Sequence, residues 1–153
     1  MAQSFLPVSS GTLRVNAHPV KTGETIAVGD PVRVDTDGLL VCAAAGSASL
    51  CGVAAEACTS AAAGTIIGVY DDPKQVYKCK ADNASQVLQA EVGDTCDIAG
   101  STGAFYANLD ATSTNVIRVR RIGTFEDPLL TGTFPFNSGS ELFVEIALHQ
   151  FNS

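Results

Sequence analysis

The chain has 153 residues, of which 46% are hydrophobic and 16% are charged, and its net charge is −7 at pH 7. This length suits a single domain with its own core, and the low charged fraction fits a surface that partners partly cover. The acidic balance argues against direct nucleic-acid binding, which uses Lys and Arg to neutralise phosphates.

The sequence carries no targeting or membrane signal. The opening residues, MAQSFLPVSS, lack the basic start and apolar centre of a secretory signal. No apolar run approaches the roughly 20 residues of a membrane span. We therefore expect a protein made in a cytoplasm, with no membrane partner.

Residues 1–20 mix Ser, Pro, Gly and isolated apolar residues without a sustained period, which predicts an N-terminal arm. Residues 21–153 are predicted to form a single β domain. Its first unit is a β-hairpin over 25–44, with Asp35-Thr36-Asp37-Gly38 as the turn. Pro31 lacks a backbone donor, so we expect it at the start of a strand.

The middle of the chain is rich in Ala, which favours a short helix over 54–63. Strands are predicted at 52–53 and 64–70, and alternation over 75–80 places Tyr77 and Cys79 on one face. Residues 71–73 predict a turn in preference to a calcium site.

Near the C-terminal end, residues 115–122 predict a strand, 123–140 a long loop and 141–151 a final strand. In this last strand Leu142, Val144, Ile146 and Leu148 should share a face, with His149 opposite Leu148. Short strands between Gly, Asp, Asn and Pro turns indicate an all-β fold. We expect a compact β-barrel or β-sandwich of short antiparallel strands, with at most one or two short helices.

The phrase Val-Gly-Asp occurs twice, with glycines at Gly29 and Gly93. Each glycine is predicted to adopt a positive φ, and Asp30 and Asp94 to accept backbone N–H groups in a tight turn. Because strand-forming residues follow both copies, the phrase predicts a sharp entry into a strand and not a ligand site.

The residues that usually carry chemistry are sparse. Five cysteines lie at 42, 51, 58, 79 and 96 without C-x-x-C spacing, and the two histidines, His18 and His149, are far apart in sequence. This predicts reduced core cysteines, with neither a metal site nor a cofactor. His18 is expected at the surface or an interface. No spacing supplies a nucleophile with its base, so we expect no enzymatic activity.

The order of strand and turn phrases resembles the small capsid decoration (cement) proteins of tailed bacteriophages. The similar phrases are VGDPV, GTIIGVYDDPKQVYKCKAD, VGDTCDIAG, NVIRVRRIG and ELFVEIALHQF, which together span about residues 26–151. The resemblance implies a mostly β virion protein that binds the major capsid protein on the outside of the head. It also implies a homotrimer at three-fold or quasi-three-fold sites that stabilises the capsid.

Two other functions compete with this one. A small receptor- or glycan-binding β-module of a phage tail or cell surface would more often expose Trp or Tyr for sugar stacking, whereas this chain has no Trp and three Tyr. An enzyme or a ligand-binding barrel would need an inward polar cluster, which the sequence does not reveal.

Large apolar residues in irregular segments predict an interface with a neighbouring subunit or with the shell. They are Phe5, Leu6, Phe125, Phe134 and Phe136. The alternative is that these side chains plug the ends of a barrel.

Overall fold

The structure is a computed structural model that describes residues 5–8, 13–81, 91–122 and 141–151. Within these ranges the chain forms eleven β-strands and no α-helix. The strands are β1 (Phe5–Val8), β2 (Val15–Pro19), β3 (Pro31–Val34), β4 (Leu40–Cys42), β5 (Gly52–Ala54), β6 (Ile66–Tyr70), β7 (Val76–Lys80), β8 (Thr95–Ala99), β9 (Tyr106–Asn108), β10 (Ile117–Ile122) and β11 (Glu141–Ile146). The described residues contain no helix of the length and apolarity needed to cross a membrane.

The strands form two antiparallel sheets, which confirms the all-β prediction. The six-stranded sheet has the order β1-β7-β11-β10-β8-β9, and the five-stranded sheet has the order β2-β6-β5-β3-β4. The arrangement resembles a sandwich and does not close into a barrel.

Two hydrophobic clusters lie on opposite faces of the five-stranded sheet. Val53 and Tyr70 are paired across β5 and β6, and both contact the larger cluster, which also covers the inner face of the six-stranded sheet. The next pair, Ala54 and Val69, belongs to the smaller cluster. Because side chains alternate along a strand, the five-stranded sheet buries both of its faces here.

The predicted hairpin is present as β3 and β4, with Val34 opposite Leu40 and a positive φ of 81° at Gly38. β3 begins at Pro31, as expected. Tyr77 and Cys79 share the buried face of β7, which confirms the alternation predicted there.

Both Val-Gly-Asp glycines have a positive φ, 91° at Gly29 and 98° at Gly93, and a strand follows each copy, at Pro31 and at Thr95. Asp30 is fully buried and accepts N–H groups from Ala27 at 2.9 Å and Gly103 at 2.8 Å. Asp94 is exposed. The two copies therefore share a backbone conformation, while their carboxylates lie in different environments.

The helix predicted over 54–63 is wrong. The backbone here pairs with an earlier segment: Ile26 and Cys58 exchange two hydrogen bonds, and the Ala61 N–H donates to the Glu24 carbonyl at 2.9 Å. Backbone groups used in this way are not available for helical bonds. Alanine's helix propensity is a weak preference that tertiary pairing overrides.

The prediction for the end of the final strand is also wrong. β11 ends at Ile146, and the Ala147 and Leu148 N–H groups both donate to the Val116 carbonyl. Since this bend interrupts the alternation, the Leu148 side chain is 45% exposed and His149 is 6% exposed.

Candidate assembly surface

The segment predicted as an arm contributes an edge strand to each sheet. β1 pairs with β7 at one edge of the six-stranded sheet, and β2 pairs with β6 at one edge of the five-stranded sheet. Among the described strands, neither has a partner on its other side. An edge strand presents backbone groups to another chain, and natural proteins place prolines there to limit this. Pro7 and Pro19 occupy such positions in these two strands.

The predicted interface residues divide into three groups. Phe5 is 2% exposed, packs edge-on against Tyr77 with ring centroids 6.5 Å apart, and donates its N–H to the Gly29 carbonyl at 2.9 Å. Leu6, its neighbour on β1, is 41% exposed. Phe125, Phe134 and Phe136 lie outside the described residues. Within the subunit, Phe5 thus contributes to the core and Leu6 to the surface.

An exposed apolar strip runs along the β2 edge. Val15, Ala17 and Pro19 are exposed and lie opposite Tyr70, Gly68 and Ile66 in the ladder, so these residues share one face of the sheet. Val15 is 46% exposed and Ile66 60%. A Cβ on Gly68 would lie 2.9 Å from Val15 Cγ1 and 3.4 Å from Glu56 Oε1, so the Val15 side chain and the Glu56 carboxylate both lie over the bare backbone there. We call Val15, Ala17, Pro19 and Ile66 the apolar strip.

The opposite face of β2 is polar and converges on one carboxylate. Asn16 Nδ2 donates to both carboxylate oxygens of Asp71, at 2.8 and 3.0 Å, and His18 Nε2 lies 3.0 Å from Oδ2. Arg14 Nε lies 3.3 Å from Oδ1. Asp71 itself is only 3% exposed. We call Arg14, Asn16, His18 and Asp71 the Asp71 clasp.

The clasp was not predicted from the sequence. The turn predicted at 71–73 is present, with Asp72 accepting the Lys74 N–H at 2.9 Å. The signal for the clasp was the alternation of Arg14, Asn16 and His18 with apolar residues, a period of two within a segment predicted as irregular.

Aromatic contacts extend the clasp. The Phe151 ring stacks on His18 at 5.8 Å with an interplanar angle of 8°, and it lies 5.7 Å from the His149 ring. His149 Nδ1 accepts the Phe151 N–H at 3.0 Å, so in the neutral ring the proton is on Nε2. Burial lowers the pKa of His149 below its usual value, against the opposing effect of the nearby Asp71 and Asp72 charges.

The Asp71 clasp holds strand β2 against the sheet. In enzymes, a carboxylate beside a histidine can orient that histidine as a general base, but the histidine must then also reach a nucleophile. Here the hydrogen bonds to the Asp71 carboxylate come from side chains of β2. Within the described ranges, no three His, Cys, Asp or Glu side chains are grouped so that they could hold a metal ion.

The tyrosines offer little surface for sugar stacking. Tyr77 is 1% exposed, its hydroxyl donating to the Tyr70 carbonyl at 3.0 Å, and Tyr70 and Tyr106 are half-buried. A flat, exposed aromatic ring is what a glycan site commonly presents.

A scan of the sequence against protein-family models finds no match, and a search of curated proteins finds no match either.

Proposed function

We propose that this protein is a structural virion protein that binds the outer surface of a tailed-phage capsid and stabilises the head. It acts as a homotrimer at three-fold or quasi-three-fold sites, with the major capsid protein as its partner. The observation that carries the proposal is the apolar strip, which lies on the edge strand β2 and the adjoining end of β6 and is exposed outside the subunit's own core.

The energetics of the strip favour assembly. Full burial of a Val or Ile side chain contributes roughly 1.5–3 kcal/mol. Single exposed apolar residues are ordinary, whereas several grouped on one face of a sheet favour an interaction site. A trimer buries the same residues three times, so the favourable free energy from one subunit's strip is multiplied by three.

Two further observations support the proposal. The order of strand and turn phrases resembles that of capsid decoration proteins, and the net charge of −7 suits a protein on the outside of a shell that encloses DNA. Nothing comparable favours the glycan-binding alternative, because the described tyrosines are buried or half-buried.

The test combines sedimentation equilibrium with head binding. We expect a species of three times the 15.8 kDa subunit mass, which co-sediments with heads built from the capsid protein of the same genome. The double variant Val15→Ser/Ile66→Ser should lose trimerisation or head binding while it keeps the thermal stability of the isolated subunit. A monomer at all concentrations that also fails to bind heads would refute the proposal.

The matched control is Leu148→Ser. Leu148 is 45% exposed, close to the 46% of Val15, but it lies outside β1, β2 and β6. This variant should assemble like the wild type. Equal losses in both variants would mean that general surface hydrophobicity drives association and that the strip has no specific role.

Phe5 and Leu6 can be separated in the same assays. Phe5→Ala removes a buried ring and should lower the free energy of unfolding by about 3 kcal/mol, whereas Leu6→Ser should change it little. Leu6→Ser should instead weaken assembly. If Phe5→Ala leaves urea denaturation unchanged, Phe5 is not a core residue.

A further inference from the structure

Most of the chain's cations lie on one face of the six-stranded sheet. Five of the nine Lys and Arg residues belong to β7 and β10, the two strands that flank β11. They are Lys78, Lys80, Arg118, Arg120 and Arg121. With Phe143 of β11, we call them the basic face.

The strand register brings these residues together. Phe143 lies opposite Lys78 on one side and Arg121 on the other, so the three residues form a row across the sheet. Their chain neighbours Cys79, Leu142 and Val144 point into the core. The two lysines come next to the arginines of β10 only through long-range strand pairing, which local sequence patterns do not record.

An irregularity in β10 enlarges the face. The register shifts between Val119 and Arg121, so two consecutive arginines, Arg120 and Arg121, are both exposed. The Arg121 guanidinium carbon lies 4.0 Å from the centre of the Phe143 ring, a cation–π contact that holds the guanidinium against the sheet.

The arginines of the basic face pair with a carboxylate of the same subunit. Glu145 Oε1 lies 3.5 Å from Nη1 of Arg118 and 3.5 Å from Nη1 of Arg120, and these arginine side chains are 46% and 55% exposed. Exposed pairs at this distance are weak, so the arginines can exchange Glu145 for another carboxylate at little cost. Glu141 is the register partner of Lys80.

The charge is strongly segregated. With Glu145 counted, the face carries +4 in a chain of net charge −7, so the rest of the chain carries −11. An extended polyanion such as DNA would meet repulsion from the net negative charge of the rest of the chain. A short acidic segment covers the face alone and avoids most of that repulsion.

We propose that the basic face binds a carboxylate-rich segment of a partner protein. Guanidinium forks pair with carboxylates through two parallel hydrogen bonds, which gives such a contact both strength and direction. The aliphatic stems of Lys78 and Arg118, together with the Phe143 ring, supply apolar area beneath the charged groups. The charged groups of the basic face lie on β7 and β10, whereas the apolar strip lies on β2 and β6, so peptide binding and assembly can be tested separately. Leu6 of β1 is the register partner of Lys78 and borders the face.

The experiment uses a fluorescein-labelled peptide of ten glutamates as the probe and measures its anisotropy. We expect wild-type protein to bind it at low ionic strength, and the affinity to fall as salt is added. Arg118→Gln/Arg121→Gln should weaken binding at least tenfold. The matched control, Arg33→Gln/Lys74→Gln, removes the same charge outside the basic face and should change binding less than twofold.

Three results would overturn the proposal. The first is no binding of the peptide to wild-type protein, and the second is an equal loss in both double variants, which would show a response to net charge alone. The third is tighter binding of a ten-residue oligothymidylate than of the peptide, which would assign the face to nucleic acid. Thermal unfolding of each variant verifies that the fold is retained.

Discussion

At the residue scale, three buried carboxylates are satisfied in different ways. Asp30 and Asp97 accept backbone N–H groups; for Asp97 these belong to Ser113, Thr114 and Asn115. Although burial acts to raise the pKa of Asp97, these hydrogen bonds hold it below its usual value. Asp71 instead depends on side chains of one exposed strand. The backbone N–H groups that donate to Asp30 and Asp97 are positioned by the fold itself, whereas the hydrogen bonds to Asp71 exist only while β2 is paired with the sheet.

His149 predicts a pH dependence of stability. Burial lowers its pKa in the folded state, so the unfolded chain binds this proton at a higher pH than the folded chain does. The free energy of unfolding should therefore fall as the pH drops through about 6.5, by at most about 1.4 kcal/mol per pH unit. Carboxylates titrate mainly below about pH 5, outside this window.

The measurement is urea denaturation at pH 7.5, 6.5 and 5.5 for the wild type and for His149→Gln. Because the variant cannot take up this proton, its stability should depend less on pH. Identical slopes for the two proteins would show that His149 does not titrate differently on folding.

At the element scale, β2 is an edge strand held largely by polar contacts. Asp71→Asn keeps the shape of the side chain and removes its charge. Because hydrogen bonds to a charged group contribute roughly 1.5–3 kcal/mol, amide exchange in β2 should become about tenfold faster or more. Exchange in β3 and β4 should change much less, since these strands belong to the buried core.

Asp72→Asn is the control, because Asp72 accepts the neighbouring Lys74 N–H and makes no described contact with β2. Faster exchange throughout the molecule in Asp71→Asn would mean that the carboxylate supports the whole fold. Unchanged exchange in β2 would mean that the ladder with β6 alone holds the strand.

Local features of several strands could be predicted from the sequence. The hairpin of β3 and β4, the strand after each Val-Gly-Asp and the buried face of β7 follow from neighbouring residues, because turns and alternation are local. The Asp71 clasp joins residues 53 to 57 positions apart, and the strand pairing at Ile26 and Cys58 replaced the expected helix. Such contacts are set by the packing of distant segments, which local patterns do not record.

The apolar strip was missed for the same reason. Ile66 was correctly placed in a strand, but its exposure depends on β2 lying beside it at the sheet edge. Of the five interface residues predicted from the sequence, the exposed Leu6 and the buried Phe5 are adjacent, and alternation along β1 separates them.

At the scale of the whole molecule, the cysteines are distributed through both hydrophobic clusters. Cys79 and Cys96 belong to the larger cluster and Cys51 to the smaller one, while Cys42 and Cys58 are partly buried beside them. None of the five forms a disulfide in the structure. Burial raises the pKa of Cys42 and Cys51 to about 12, so their reactive thiolate form is scarce at neutral pH.

We therefore expect five titratable thiols in the denatured, unreduced protein and slow reaction of Cys42 and Cys51 in the native one. Cys42→Ser/Cys58→Ser should assemble like the wild type, since neither residue lies in β2 or β6. A titration that finds one thiol instead of five would contradict this expectation and indicate two disulfides.

The pairing of β1 with β7 sets the order in which the chain can fold during synthesis. Phe5 pairs with Cys79, 74 residues further along, so at roughly 5–20 residues per second β1 leaves the ribosome about 4–15 seconds before its partner. β7 in turn pairs with β11, which is made later still. The five-stranded sheet uses strands that end at Tyr70, so it is complete in sequence before β7 emerges. The nascent chain thus contains all strands of the five-stranded sheet while β1 still lacks its partner β7, and Phe5 is exposed to solvent during this time.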